Sequence, residues 1–481
     1  MERGWVYAEG TLHCDGLSLT RLQASLRQEY GHLASPAYVY SKATLHDNVR
    51  RYKNALAPMG TRGVLSYSLK ANNNPRVVET LREAGVTMAT AVSGNEVLMA
   101  LRAGFPAHQV ILNGNGKRRW EIELAVSRGV LLNVDSMFDA RQLVAVSQEM
   151  GVRARALVRL NPALDAHTHP FLATALADSK FGVEAQQVPE VLQVLREGGT
   201  SRMVEVEGVH VHVGSAITRV QVYALMMQAA VRTLHQICES GWTEAAVINL
   251  GGGLNVSHDP PNPGDQDNRT FYNSSSEPQC PPSPPGSEPK PTTKSESTEN
   301  KSNLQETTPI SKEETTPQPE ELVEAVLPYL PDGVTLVLEP GRSLVATAGV
   351  VTTEVLGVKT NGEREFLVVD AAMTEVIRPA LYSAHHPLCY VSPPAHQPVV
   401  EVDVVGPVCE SGDFLARRCL LQRPPDSGAT LVVWAAGAYC SSMSSNYNLR
   451  PHALEVMVDG PSSYKIIRRP QEFEDLVREC L

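Results

Sequence analysis

The chain has 481 residues, 42% of them hydrophobic and 20% charged, and a formal net charge of −11 at pH 7. At roughly 100–200 residues per domain, this length predicts two or three domains. The acidic balance argues against a nucleic-acid or membrane-surface partner, since both need a basic face. No run approaches about 18 apolar residues, the start lacks a signal-peptide core, and the 8 cysteines include no C-x-x-C pair. We therefore expect a soluble intracellular protein without a disulfide framework or zinc site.

Two predicted strands, Trp5–Thr11 and Ala37–Tyr40, precede a long stretch in which apolar runs alternate with helical patterns. One helical pattern is Pro75–Glu83, where Asn74 is suited to cap the helix. Apolar strands that alternate with helices indicate a parallel sheet covered on both faces, and eight such units fit a (β/α)8 barrel. The eight predicted barrel strands are Val64–Leu69, Val86–Val92, Val110–Asn113, Val130–Val134, Arg155–Leu160, Gly208–Val213, Ala246–Leu250 and Thr335–Glu339.

A segment of different composition, residues 257–319, falls between the seventh and eighth predicted strands. It contains 13 of the 34 prolines, many Ser, Thr, Glu and Lys residues, and almost no aliphatic side chains. Such a segment buries too little apolar surface to offset its ordering entropy, so we expect a disordered insertion. A tolerated surface insertion is the favoured interpretation, and a phosphorylatable or partner-binding segment is the alternative.

After Gly341 the pattern changes to strands with few helices between them. Together with the two early strands, they predict a second, mostly β domain built from both ends of the chain. The expected division is an N-terminal segment 1–40, a barrel 41–341 and a β domain 342–481. The predicted strands are Val350–Lys359, Glu365–Asp370, Val399–Val405, Thr430–Ala435 and Glu455–Asp459.

Polar motifs follow several barrel strands, where barrel enzymes place their working groups. The first strand runs into Lys70, and a desolvated ammonium must be paired or used chemically. A lowered pKa would suit Lys70 to Schiff-base chemistry, whereas a paired or snorkelling lysine is the structural alternative. His210 and His212 end the sixth strand and face the same side. A metal pair is a weaker interpretation of them, because no nearby carboxylate or cysteine completes a ligand set.

Two further motifs indicate a phosphate and a basic ring. Gly251-Gly252-Gly253 ends the seventh strand, and consecutive glycines let backbone N–H groups approach a phosphate, although a plain turn is the alternative. Glu339 and Arg342 end the eighth strand and suit a protonated ring nitrogen and a phosphate or carboxylate, unless they form a structural ion pair. With Lys70 as the partner of an aldehyde, these motifs agree on pyridoxal phosphate, an electron sink for carbanion chemistry.

With these motifs the chain resembles the diaminopimelate decarboxylases, which belong to the alanine-racemase-like (fold type III) pyridoxal-phosphate family. The resemblance is strongest to their plant-type members. The resemblance covers about residues 5–256 and 320–475. It rests on the motifs YSLKANNN, VSGNE, NGNGK, VDSMFD, GGG, EPGR, RPALY, CESGD, GAY and KTNG. It implies decarboxylation of meso-2,6-diaminopimelate to L-lysine and CO2, the last step of lysine biosynthesis. Because plant-type relatives work in plastids, a plastid location stays open beside the cytoplasmic one.

The resemblance also implies roles for individual residues. Lys70 would bond covalently to the cofactor, His212 would stack on its ring, and Glu339 would contact the ring nitrogen. The phosphate end would be served by Ser215, Gly252, Gly253 and Arg342. The substrate would be bound by Arg342, Arg378, Tyr382, Glu410 and Tyr439, with Tyr439 also near the cofactor. Cys409 would donate a proton from the partner subunit of a homodimer with shared active sites.

Three residues depart from the family pattern: Thr90 stands where many relatives have Asp, and Ala372 and Asn255 where glycine is common. These departures put the surroundings of the site in doubt, not the reaction. A related decarboxylase acting on ornithine, arginine or a carboxylated polyamine is the nearest rival. A catalytically silent cofactor-binding homologue is the rival of another class, but it would be expected to lose Lys70 or Cys409, and both are present.

Overall fold

The computed structural model describes residues 4–162, 180–196, 202–261, 316–423 and 427–480. The predicted disordered insertion, 257–319, lies outside these ranges except for 257–261 and 316–319, so its disorder stays a prediction. No helix among the described residues is long and apolar enough to cross a membrane.

The N-terminal segment begins with a small antiparallel sheet. Its strands are β1 (Trp5–Ala8), β2 (Thr11–Cys14) and β3 (Leu17–Ser18), followed by α1 (Leu19–Tyr30) and β4 (Ala37–Ser41). The single strand predicted over Trp5–Thr11 is wrong, because the chain reverses at Glu9 and Gly10, whose φ angles are 52° and 74°. Two consecutive positive φ angles are typical of a tight hairpin turn.

The described part of the chain confirms the barrel, with eight parallel strands. These are β5 (Gly63–Ser68), β6 (Met88–Ala91), β7 (Val110–Leu112), β8 (Leu131–Val134), β9 (Ala154–Asn161), β11 (Val204–Val211), β12 (Val247–Asn249) and β13 (Thr335–Leu338), with the two-residue β10 (Val183–Glu184) beside β9. The order β5-β6-β7-β8-β9-β11-β12-β13 closes because β13 pairs with β5. Closure places the carboxyl ends of all eight strands around one opening.

Helices cover the outside of the barrel. They are α2 (Lys42–Leu56), α3 (Pro75–Ala84), α4 (Gly94–Arg102), α5 (Arg119–Arg128), α6 (Met137–Met150), α7 (Val188–Arg196), α8 (Gln221–Glu239) and α9 (Pro319–Val326). Helix α3 confirms the local prediction: the Asn74 side chain accepts a hydrogen bond from the Arg76 amide, and Gly85 follows the helix with a φ of 111°. A polar cap and a left-handed glycine satisfy the two ends of the helix.

The C-terminal part is mostly β, as predicted. Its elements are α10 (Arg342–Val345), β14 (Gly349–Asn361), β15 (Arg364–Val369), α11 (Arg378–Tyr382), β16 (Leu388–Tyr390), β17 (Val399–Val405), β18 (Phe414–Gln422), β19 (Thr430–Val433), β20 (Leu454–Val458), β21 (Tyr464–Arg468) and α12 (Phe473–Val477). The N-terminal strand β4 lies in this sheet between β14 and β20. Both chain ends therefore build the β structure, while the exact domain boundaries stay predictions.

A second apolar cluster joins the N-terminal segment to the β sheet. Leu12 and Leu19 are buried in it with Val350 and Trp434. The ring of Trp5 packs edge-on against Trp434, with centroids 5.4 Å apart. Each fully buried side chain of this size stabilises the fold by about 1.5–3 kcal/mol, so the first strands are part of the core.

We predict that Gly208→Ala destabilises the barrel. A Cβ at Gly208, next to a β-bulge in β11, would lie 1.9 Å from the Val247 carbonyl oxygen of β12. Because neither backbone can yield without breaking the β11–β12 pairing, the free energy of unfolding should fall by at least about 1–3 kcal/mol, measured by urea unfolding. Gly116→Ala is the matched control, since a Cβ at Gly116 would have no neighbour within 4 Å. Equal stability of the two variants would contradict the prediction.

Candidate active site

Lys70 lies at the barrel opening, but not in the strand tail where the sequence placed it. Strand β5 ends at Ser68, and Lys70 is in the 3-10 turn Leu69–Ala71 with its side chain exposed to the opening. The surrounding protein still lowers the pKa of Lys70 by desolvation, while Glu339 opposes this effect and Arg159 adds to it. A lysine with a lowered pKa is more often neutral and hence more nucleophilic than an ordinary surface lysine.

Glu339, directly after β13, is buried and surrounded by hydrogen-bond donors. Among the described residues, four side chains contact its two carboxylate oxygens: Thr90 at 2.9 Å, Asn113 at 3.2 Å, His210 at 3.2 Å and Asn249 at 2.7 Å. They come from or directly follow β6, β7, β11 and β12. The structural alternative of a Glu339–Arg342 ion pair does not describe this arrangement, since Arg342 bonds to Ser215 instead.

The donors keep Glu339 ionised. Burial alone would raise the pKa of Glu339, but His210, Asn249 and Thr90 outweigh burial and lower the pKa to about 2. Burial lowers the pKa of His210, so this imidazole is neutral at pH 7 and donates its Nε2–H to the carboxylate. The result is an ionised carboxylate at the barrel opening, close enough to Lys70 to oppose the lowering of its pKa.

His210 in β11 and His212 directly after it differ in their hydrogen-bond partners. His210 bonds to Glu339, which is the carboxylate that the sequence analysis did not find near the pair. His212 is partly buried, and its Nδ1 has no hydrogen-bond partner among the described residues. Burial and the charges of Lys70 and Arg159 lower the pKa of His212 to about 3. The described residues contain no cluster of three or more metal-ligating side chains.

The glycines after β12 pack too closely for any side chain. A Cβ at Gly252 would lie 2.4 Å from the Glu339 carbonyl oxygen, and one at Gly253 would lie 2.4 Å from the Gly214 carbonyl oxygen. Glycine at both positions therefore brings three strand ends together. Ser215 is exposed beside them and accepts a hydrogen bond of 3.1 Å from the Arg342 guanidinium.

The β domain adds Tyr439 and Arg378 to the same opening. Tyr439 has a φ of 59°, and its amide donates to the Ala71 carbonyl oxygen at 2.8 Å, beside Lys70. Its ring lies under the guanidinium of Arg342, with 5.0 Å between Cζ and the ring centroid. Burial lowers the pKa of Arg342, and the positive charge of the nearby Arg378 lowers it further. The structure thus brings Lys70, Tyr439, Arg342 and Arg378 together across the two parts of the fold.

Three predicted site residues are not joined to this group within one chain. Tyr382 is 62% exposed, and Cys409 and Glu410 lie in an exposed loop. The Cys409 amide donates to the Asn448 side chain at 2.8 Å, and Glu410 accepts from Gly412. Within the described ranges, no hydrogen bond or ion pair joins this loop to Lys70 or His212.

The first comparison with known proteins matches the barrel. Residues 42–274 match the family model for the pyridoxal binding domain of pyridoxal-dependent decarboxylases. A rice protein named a probable chloroplastic diaminopimelate decarboxylase is 35% identical over 472 residues, which are 98% of this chain and 83% of that protein. The chain belongs to the diaminopimelate decarboxylase family. The family member from Aquifex aeolicus is 31% identical, over 99% of this chain and 97% of its own.

A solved structure agrees with this family assignment. The diaminopimelate decarboxylase of M. jannaschii, crystallised with L-lysine, aligns with a TM-score of 0.81 and 25% identity, over 99% of this chain and 98% of that one. The barrel and the β domain are therefore those of the diaminopimelate decarboxylase family.

Sequence reasoning missed several residues of the site in this family member. Arg159 bonds to Asp135 at 3.2 Å, and its guanidinium lies 4.5 Å from the ring centroid of Phe181. The signal that could have found them was a charged side chain, Arg159, within the predicted strand Arg155–Leu160, and a polar one, Asn249, within the apolar strand Ala246–Leu250. Thr90, one of the three departures from the family pattern, donates its hydroxyl hydrogen to Glu339 at 2.9 Å.

We predict that Glu339→Gln removes a pH-dependent part of the stability. The pKa of Glu339 is lowered from 4.5 to about 2 in the fold, so its ionised form stabilises the protein above pH 4.5, and that contribution is lost as the pH falls towards 2. The cofactor-free variant should lose on the order of 3 kcal/mol near pH 5.5, measured by urea unfolding, and the deficit should shrink at pH 3.5.

Glu123→Gln is the control for that experiment, because it removes a surface carboxylate that pairs with the exposed Arg119. Exposed ion pairs contribute about 0–1 kcal/mol, so this control should change the stability little at either pH. A Glu339→Gln deficit that is the same at both values would show that the buried carboxylate is not the stabilising group.

Proposed function

We propose that this protein catalyses the pyridoxal-phosphate-dependent decarboxylation of meso-2,6-diaminopimelate to L-lysine and CO2. The observation that carries the proposal is a site with separated charges: the ionised Glu339 near Lys70, and two arginines, Arg342 and Arg378, on the side of the β domain. Family membership supports the same activity, since relatives over nearly the full chain are named diaminopimelate decarboxylases.

The residues of the barrel opening fit pyridoxal phosphate. Lys70 would bind its aldehyde carbon, His212 would lie against its ring, and the ionised Glu339 would keep the ring nitrogen protonated. Two buried atoms without partners among the described residues, His212 Nδ1 and Arg342 Nε, support a polar ligand here. Its phosphate would be bound by Ser215, Gly252, Gly253 and Arg342, with Tyr439 beside it.

The chemistry divides between the cofactor and the chain. Bound pyridoxal phosphate supplies the electron sink for the pair of electrons that remains on carbon when the bond to CO2 breaks. Glu339 favours that charge distribution because it is preorganised and needs no solvent rearrangement. Lys70, with its lowered pKa, moves protons between the substrate amine and the site. Cys409 of the partner subunit then donates the proton that replaces CO2.

The arginine pair favours diaminopimelate over the rival substrates. The far centre of diaminopimelate carries a carboxylate and an ammonium. Arg342 and Arg378 would bind the carboxylate, and Glu410 would bind the ammonium. Tyr382 would line the same end. Ornithine has no carboxylate at its far end and gives Arg378 nothing to bind, and the silent homologue is disfavoured by the presence of both Lys70 and Cys409.

The exposed loop with Cys409 and Glu410 supports a homodimer with shared active sites. Among the described residues, the thiol and carboxylate of this loop have no hydrogen bond or ion pair to Lys70 or His212 of their own chain, which fits a role in the site of a neighbouring chain. Tyr382, Leu449 and Tyr447 are exposed at 62%, 64% and 48% and supply apolar surface for that contact. The compartment, cytoplasmic or plastid, stays a prediction.

Replacing Lys70 should abolish the reaction. In Lys70→Ala the amine that holds the cofactor and moves protons is lost, so kcat for L-lysine formation from meso-diaminopimelate should fall more than about 100-fold. Production of L-lysine and CO2 measures the rate. Lys359→Ala, which removes an exposed lysine of β14, is the matched control and should retain activity.

The wild-type assay also decides between the substrates. Ornithine, arginine and a carboxylated polyamine are offered at the same concentration as diaminopimelate. Faster turnover of any of them would overturn the proposed substrate, and no turnover of any would favour the silent homologue.

Shared sites predict rescue in a mixed dimer. Lys70→Ala and Cys409→Ala homodimers should each be inactive, but the mixed dimer, purified through two different tags, keeps one intact site of two. It should therefore have about half of the wild-type activity. The control is a mixed dimer of Lys70→Ala with His212→Ala. Both changes lie in the barrel, so each of the two sites carries one defect and neither site is intact. Equal activity of the two mixed dimers would contradict shared sites.

A further inference from the structure

A buried histidine that the sequence analysis did not single out lies behind Arg378. His386 follows α11 in the chain and is 1% exposed. Its Nε2 is 2.6 Å from Nη1 of Arg378, and its Nδ1 is 2.9 Å from the Trp434 carbonyl oxygen. His258 packs edge-on against the same ring, with centroids 6.1 Å apart. The ring therefore has a polar partner on each nitrogen and an aromatic neighbour.

These partners select one form of the imidazole. A carbonyl oxygen can only accept, so Nδ1 must carry the hydrogen, and a guanidinium can only donate, so Nε2 must offer its lone pair. Burial lowers the pKa of His386 to about 3; the Trp434 carbonyl opposes this, and Arg378 adds to it. The histidine is thus a neutral acceptor with a fixed tautomer.

A neutral acceptor has a specific consequence for Arg378. An aspartate or glutamate in its place would bind the guanidinium as tightly or more so, but would cancel its positive charge. The described residues give Arg378 a histidine and Arg342 a serine hydroxyl as partners, not a carboxylate. Burial and the positive charge of Arg378 lower the pKa of Arg342, and an anionic group between the two guanidinium groups would relieve their repulsion.

We propose that His386 is a positioning residue that fixes the guanidinium of Arg378 for the far carboxylate of the substrate, and thereby sets the preference for amino acids that carry this carboxylate. The inference rests on the proposed function for the identity of the substrate. The claim about His386 itself is narrower. Its hydrogen bond restricts the rotation of the long Arg378 side chain and leaves the other N–H donors of the guanidinium for the ligand.

The test measures ligand binding to the full-length holoenzyme by calorimetry, with two probes. L-Lysine keeps the far carboxylate and ammonium of diaminopimelate, whereas cadaverine has the same two amines and no carboxylate. His386→Phe should weaken L-lysine binding about 10-fold, the effect of one lost positioning contact, and leave cadaverine binding unchanged. KM for diaminopimelate should rise with it, and kcat should change less.

Two further variants separate positioning from damage to the fold. His386→Gln should recover most of the L-lysine binding, because its amide can accept from Arg378 and donate to Trp434. If His386→Phe does not fold, His386→Asn tests the same loss, since its side chain is polar but too short to reach both partners. His385→Phe is the matched control at the exposed neighbour, which has no hydrogen bond to Arg378.

The outcomes are distinct from those of the proposed function. Equal weakening of L-lysine and cadaverine, or no weakening of either, would overturn the role of His386, because a merely structural histidine would affect both ligands alike. If the wild-type enzyme does not decarboxylate diaminopimelate, the proposed function fails, but the difference between the two probes still decides the role of His386.

Discussion

The carboxylate of Glu339 is a negative charge buried at the opening of the barrel, and the rest of the site depends on it. An unpaired buried ion costs several kcal/mol, and each hydrogen bond to a charged group returns about 1.5–3 kcal/mol. Its donors come from strands on both sides of β13: Thr90 and Asn113 on one side, His210 and Asn249 on the other. The closed, curved barrel brings these four strands within reach of one side chain. Closure thereby supplies the hydrogen bonds that keep the buried carboxylate ionised, and those bonds in turn link the strands.

The site has two unlike ends. At the barrel end Glu339 faces Lys70, whose pKa is lowered by desolvation although the carboxylate opposes it. At the other end the β domain contributes Arg378, held by a neutral histidine, beside Arg342. The hydrogen-bond partners of Arg342 and Arg378 are a serine hydroxyl and a histidine rather than a carboxylate, so both arginines can pair with an anionic ligand. A substrate with polar groups at both ends of an aliphatic chain matches this layout.

Much of the fold was open to sequence reasoning, for identifiable reasons. Strands such as Val110–Leu112 and Thr335–Leu338 are short apolar runs buried on both faces, and such runs are conspicuous in any sequence. The hairpin within Trp5–Thr11 was missed because its turn is formed by Glu9 and Gly10, and a single glutamate rarely adopts a positive φ. Lys70 was placed in the strand tail rather than in the turn that follows, because strand ends carry no sharp signal.

The sequence by itself determined the barrel, the β domain shared by both chain ends, and the motif residues at the strand ends, because apolar periodicity and local motifs are properties of neighbouring residues. Only the tertiary structure decided which groups surround them. The four donors of Glu339 are separated from it by 90 to 249 positions, and Trp434 fixes His386 from 48 positions away. Hydrogen bonds of this kind depend on strand closure and packing, which bring together residues that no local pattern connects.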